Sequence, residues 1–166
     1  MKESMNMTKR VAASVALSIS AMGLAHAGSS SEIGSVDTSF QWIGANHKIV
    51  VEVFDDPMVE GVSCYVSRAK TGGVKGSLGI ATDTSDASVA CRQVGEIKIA
   101  KPLPRSGEVF SQSSSILFKS IRVQRMVDSK RNTLVYIVYS DKLIDGSPKN
   151  SVTAVPVPRA TPIPAK

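Results

Sequence analysis

The 166-residue chain predicts a mainly β domain: a single antiparallel sheet, sandwich-like or barrel-like, with one short helix and one disulfide. Three observations predict it. Six or seven short apolar segments alternate with period two between turn residues. No heptad or internal repeat runs through the chain. The two cysteines, Cys64 and Cys91, form an even pair. The length suffices for one hydrophobic core and leaves no room for a second large domain.

The amino-terminal segment predicts export. Lys2, Lys9 and Arg10 form a basic start, Val11–Leu24 is a run of 14 small and apolar residues, and Ala25-His26-Ala27 supplies an A-x-A cleavage site. Residues 1–27 therefore read as a secretory signal, cut between Ala27 and Gly28. The run is too short and too rich in Ala and Ser to span a membrane. With no Cys at the cleavage point, stable membrane insertion or a lipid anchor is not expected, and a soluble periplasmic product is. Losing Lys2, Lys9 and Arg10 against Glu3 lowers the net charge from +6 to +4. That charge is ordinary for solubility and calls for no nucleic acid partner.

Residues 28–31 are a flexible lead-in. Ile33–Ile43 reads as a half-buried strand, its even positions (Val36, Thr38, Phe40, Trp42) apolar or branched. In Lys48–Phe54, Ile49, Val51 and Val53 share one face and Glu52 lies on the other. Asp55-Asp56-Pro57 ends that strand as a turn. In Gly61–Ser67, Val62, Cys64 and Val66 point one way. Lys70–Ile80 holds four glycines and reads as a loop. Asp83-Thr84-Ser85-Asp86 offers helix caps, and Ala87, Ala90, Cys91 and Val94 recur at helical spacing before Gly95, so the short helix is placed here. A strand through Val89–Val94 is the alternative. Glu96–Ala100 and Val109-Phe110 are weak strand signals. Ile116–Val127 and Leu134–Tyr139, joined by the polar turn Asp128–Asn132, predict a hairpin. Ser151–Val155 is a last strand. The prolines at 156, 158, 162 and 164 make residues 157–166 a proline-rich disordered tail.

In an oxidising compartment Cys64 and Cys91 are expected to pair, two buried free thiols being the rival reading. Their spacing is no thioredoxin-like C-x-x-C. No catalytic residue is expected. His47 is the single histidine after the cleavage site and lacks a G-x-S-x-G serine. Ser67-Arg68-Ala69-Lys70 and Lys70-Thr71-Gly72 match two motifs of β-lactamases, but they share Lys70, which cannot fill two places at once. Asp83 and Asp86, or Asp55 and Asp56, lack a calcium-loop pattern, so no metal and no cofactor is expected. Arg68, Lys70 and Lys75 form one basic cluster and a possible partner surface. Lys119, Arg122, Arg125, Lys130 and Arg131 form another on the hairpin, with a solvated sheet face as the plain reading of both.

Longer strings carry a resemblance. Glu32-Ile-Gly-Ser-Val-Asp-Thr38, His47-Lys-Ile-Val-Val-Glu52, Phe54-Asp-Asp-Pro57 and Cys64-Tyr-Val-Ser-Arg-Ala-Lys-Thr-Gly-Gly73 resemble the CreA family of small exported bacterial proteins. Asp83-Thr-Ser-Asp86, Cys91, Tyr139-Ser-Asp-Lys142 and Gly146-Ser-Pro-Lys-Asn150 continue it, so the resemblance covers residues 32–156. It implies a single periplasmic domain, a setting linked to catabolite regulation, and no catalytic residues to carry over. Cys64 and Cys91 fall in the family's two cysteine motifs, which supports the disulfide. The expected function is a non-enzymatic protein that binds another periplasmic or membrane protein. A small-ligand or envelope-component binder is the alternative, and a hydrolase the third reading.

Overall fold

The computed structural model describes residues 29–40, 42–73, 87–115, 119–141 and 149–166. The signal, its cleavage site and the Asp83–Asp86 caps lie outside the described residues. Eight strands are described: β1 (Ser31–Ser39), β2 (His47–Asp55), β3 (Glu60–Lys70), β4 (Ala87–Lys98), β5 (Ser106–Ser115), β6 (Lys119–Asp128), β7 (Thr133–Asp141) and β8 (Asn150–Pro156). They form two antiparallel four-stranded sheets, β1-β2-β3-β4 and β5-β6-β7-β8, where the sequence predicted one.

One shared core explains the pairing of sheets. Val62, Cys64, Val66, Val89 and Cys91 of the first sheet pack with Val109, Phe110, Val123, Leu134, Tyr136 and Val138 of the second. Phe54 of β2 stacks on Phe110 of β5 with ring centroids 4.5 Å apart, and β4 lies beside β8. The predicted hairpin is β6–β7, in register from Ser120↔Asp141 to Asp128↔Thr133. The predicted last strand is β8.

The helix expected at Ala87–Gly95 is strand β4, the alternative reading. Cys91 lies directly opposite Cys64, and Val89 and Cys91 are buried at period two. Val94, part of the helical stripe, is 58% exposed. Cross-strand pairing and the disulfide therefore decide a short apolar run whose spacing fits both periods. Beyond Gln93 the strand bulges, with Val62 paired to Gln93 but Glu60 to Lys98. Gly61 makes this possible: its φ is +79°, and a Cβ there would lie 2.8 Å from the Glu96 carbonyl carbon.

Two facing assignments also change. β1 is exposed at all nine positions, not half-buried, because it lies at the edge of its sheet, paired only with β2. In β2 the face carrying Glu52 is the inner one, with Val50, Glu52 and Phe54 buried, while Ile49 is 42% exposed.

The tail is ordered rather than disordered. Val157 and Ile163 are buried, and Leu103 exchanges backbone hydrogen bonds with the chain end: its N–H donates to Pro164 O (2.7 Å), and Lys166 N–H donates to Leu103 O (3.0 Å). Asn132, held at φ +52° in the β6–β7 turn, clamps the tail. Its Nδ2 donates to the carbonyls of Val157, Pro158 and Thr161, and its Oδ1 accepts from Ile163 N–H. Proline lacks a donor but keeps its carbonyl, so a proline-rich segment can be held by donors from elsewhere.

Candidate functional site

The polar groups of this protein fall into two settings: ion pairs buried between the sheets, and an open edge at β1. Each begins with strand alternation. In β2 the inner positions run Val50, Glu52, Phe54 and then Asp56, just past the strand end. In β3 they run Val62, Cys64, Val66 and Arg68, and in β6 Ile121, Val123 and Arg125. Period two thus carries four charged residues into the core.

Asp56 and Arg125 meet from opposite sheets. Arg125 Nη1 donates to both Asp56 carboxylate oxygens, at 2.6 and 2.8 Å, and Nη2 donates to Met58 Sδ at 3.5 Å. Tyr136 Oη donates to Asp56 Oδ2 at 2.8 Å, and Met58 N–H donates to Oδ1 at 2.8 Å. Burial, then the negative charge of Asp56, pushes the Tyr136 phenol far above its ordinary range. With its oxygens taken by four donor contacts, Asp56 is built as a clamp between sheets rather than as a general base.

A second pair sits farther along the same inner face. Arg68 donates from Nε to Glu52 Oε2 (2.8 Å) and from Nη2 to Oε1 (3.2 Å), and Gln112 of β5 donates to Oε1 at 3.3 Å. Burial pushes the Glu52 carboxyl up. The Arg68 and Gln112 hydrogen bonds and the charges of Arg68 and Lys70 outweigh it, leaving the group below the usual value.

The basic cluster expected as a partner surface is therefore not brought together. Arg68 is 7% exposed and committed to Glu52, since its position continues the buried face of β3. Lys70 and Lys48 both approach Glu32 at 3.7 Å. Lys75 lies outside the described residues. On the hairpin, Arg125 is buried and Arg122 contacts Glu108 and Asp141. The side chain of Lys119 lies outside the described residues. His47 Nδ1 accepts the Gly72 N–H at 3.0 Å. Cys64 and Cys91 form the expected disulfide, both fully buried.

What the strand pattern did not single out is the surface left by β1. Ile33 and Val36 on the strand, and Phe40, Trp42 and Ile43 beyond it, are 58%, 68%, 72%, 93% and 74% exposed. Phe40 and Trp42 hold each other edge to face, with centroids 6.0 Å apart. Val36 faces Ile49 across the β1–β2 pair, extending the apolar surface onto β2. The signal was present in the sequence as a β-prone aromatic stretch; which side of it is covered depends on how far each sheet extends.

The family model described as CreA protein matches residues 33–160, which span all eight strands apart from the first two residues of β1. The chain belongs to the CreA family. Protein CreA of Escherichia coli strain K12 is 56% identical over 148 residues, covering 86% of this chain and 92% of the relative. Protein CreA of the O157:H7 strain matches to the same extent. The name of these relatives states no activity. No solved structure matches the chain significantly. The match extends to Ala160, so it includes Val157 and Pro158, the first part of the tail that Asn132 holds. Among the described residues, no helix is long and apolar enough to cross a membrane, and no three His, Cys, Asp or Glu residues cluster as a metal site.

Proposed function

We propose that this CreA-family chain is an exported periplasmic protein, not an enzyme, that binds another envelope protein along β1. The observation that carries this reading is the nine-residue edge strand, exposed at every position and continued by Phe40, Trp42 and Ile43. An edge strand offers unpaired backbone N–H and C=O groups to an added strand. Aromatic side chains next to it supply apolar area of the kind that dominates protein interfaces. Exposed apolar patches of this type are uncommon on proteins without a partner. A regulatory setting linked to catabolite control is part of this proposal, suggested by the family resemblance, and the buried disulfide fits an oxidising compartment.

The test is capture from cells by crosslinking, comparing the unaltered chain with Val36→Lys and Trp42→Ala. One stoichiometric envelope protein, lost with either substitution, is the expected result. Capture that is unchanged in both variants contradicts the placement.

A second reading, a small-ligand binder, is favoured by one feature. A cavity of about 560 Å³ is lined in part by Arg68, Ser67, Ser88 and Asn150. That volume suits a small molecule. Thermal stabilisation by a metabolite or lipid component, abolished by Ser88→Trp, supports this reading; no stabilisation across such a screen removes it.

A further inference from the structure

The end of the sandwich that carries the β2–β3 and β6–β7 turns is closed by a ring of backbone hydrogen bonds. Val127 N–H donates to Arg105 O (3.0 Å), tying the β4–β5 connection to the end of β6. Val157 N–H donates to Asn132 O (2.9 Å), tying the β6–β7 turn to the tail. Leu103 and the chain end then close the ring through Pro164 O and Lys166 N–H. Leu103, Val157 and Ile163 are buried beneath it, so the ring is anchored to the core.

This ring gathers an excess of positive charge. Lys101, Arg105, Lys130, Arg159 and Lys166 are exposed and make no ion pair among the described residues. Elsewhere cations are mostly matched: Lys48 and Lys70 with Glu32, Arg68 with Glu52, Lys98 with Glu96, Arg122 with Glu108, Arg125 with Asp56. Arg131, in the ring turn, takes Asp128. Asp55 and Glu60, flanking the β2–β3 turn, are neighbouring acids outside any ion pair; Asp55 accepts from the Ser63 hydroxyl, and Glu60 lines a cavity with Lys98 and Lys101. Among the described residues, five cations outside ion pairs thus lie at this end, away from the β1 edge, while Arg92 on β4 donates to Cys91 O and Thr153 Oγ1 instead.

We propose that this cationic end docks against an anionic phospholipid bilayer. The charges come from three separate stretches of chain and are spread around a ring, on long side chains free to move. That arrangement fits a plane of laterally mobile phosphates better than one acidic side chain, since each cation can find its own headgroup. Ring closure holds the backbone in place before contact, so docking orders little beyond the side chains. On the reading of the chain as exported, the bilayer bounding its compartment supplies that plane. The vesicle experiment below does not depend on where the protein resides.

The experiment is co-sedimentation of the protein, purified from producing cells in the form they accumulate, with phosphatidylglycerol-containing vesicles, against phosphatidylcholine vesicles. Binding to the anionic vesicles at 50 mM salt, and its loss at 1 M, is expected, because the Debye length falls from more than about 10 Å to about 3 Å. Lys101→Gln with Arg159→Gln, and separately Lys130→Gln with Lys166→Gln, should each weaken binding about 30-fold, or roughly fivefold per cation. Lys48→Gln with Lys70→Gln removes the same charge away from the ring and should leave binding unchanged. Absence of binding to anionic vesicles at low salt overturns the proposal. So does equal weakening in all three double variants, which would make net charge rather than this end responsible. If vesicles are ignored while the ring variants lose an acidic protein captured by the unaltered chain, the end is a protein dock instead, and the proposal is again overturned.

Discussion

Arg125 and Asp56 face each other across the interior from opposite sheets, with side-chain exposures of 1% and 0%. A charge moved out of water is tolerated only when paired, and here the pair joins β6 to the β2–β3 turn. The two residues are 69 positions apart, so the contact can form only when both sheets are assembled.

Breaking that pair on one side strands the other charge. Asp56→Ala or Arg125→Ala should each lower stability by about 3–5 kcal/mol, measured by urea unfolding with the disulfide intact. The double replacement Asp56→Leu with Arg125→Met should cost less than either single change. A double variant at least as unstable as the sum of the singles would show that the pair is not coupled.

Tyr136→Phe removes one donor to the Asp56 carboxylate and should cost about 1.5–3 kcal/mol, as for a hydrogen bond to a charged group. The phenol's raised value also predicts a pH effect. Above pH 10.0, the ordinary tyrosine value, the unfolded chain loses a proton that the folded chain retains, so stability falls as pH rises. In Tyr136→Phe that alkaline slope should be shallower. An identical slope in both proteins would assign it to another group.

Glu52 works at the other end of the pH scale. Its folded value lies below the ordinary 4.5, so its contribution is present above that pH and is lost as pH falls through the folded value. Glu52→Gln should therefore destabilise clearly at pH 7 and progressively less as the pH falls below 4.5. Destabilisation that stays constant down to the acid unfolding of the protein would exclude a role for the charge.

How much of this was legible in the sequence follows from what alternation can and cannot say. Most strands, the β6–β7 hairpin and the Cys64–Cys91 pair come from period two, turn residues and cysteine parity, all local signals, whereas the spacing of Ala87, Ala90, Cys91 and Val94 pointed to a helix where β4 runs. Arg68 and Arg125 were visible as the next inner positions after Val66 and Val123, yet their charge argued for solvent. Only the partner across the core, Glu52 or Asp56, reverses that argument, and partners far apart in sequence are not readable from spacing. The tail was misjudged for the same reason, since its hydrogen bonds come from Asn132 and Leu103. The division into two sheets depends on which edges pair, which local pattern does not encode.

The disulfide links neighbouring strands β3 and β4 across a sequence separation of 27. Loop closure of that length is worth about 3.5 kcal/mol in the chain-entropy model. Cys64→Ala with Cys91→Ala should lower the stability by roughly that amount, reduced somewhat by any strain the bond carries. Both sulfurs are buried, so the native protein should take no alkyl groups until it is unfolded and reduced, as read by mass. Alkylation of the folded, unreduced chain would contradict the bond.

The claim that matters most is that the β1 edge is where a partner binds. Site-specific photo-crosslinking in living cells tests it, with the photoreactive residue at Val36 on β1 or at Val152 on β8. The two positions are similarly exposed, at 68% and 64%. The account predicts one discrete adduct to an envelope protein from position 36 and none from position 152. An adduct from position 152 alone, or none from position 36, contradicts it.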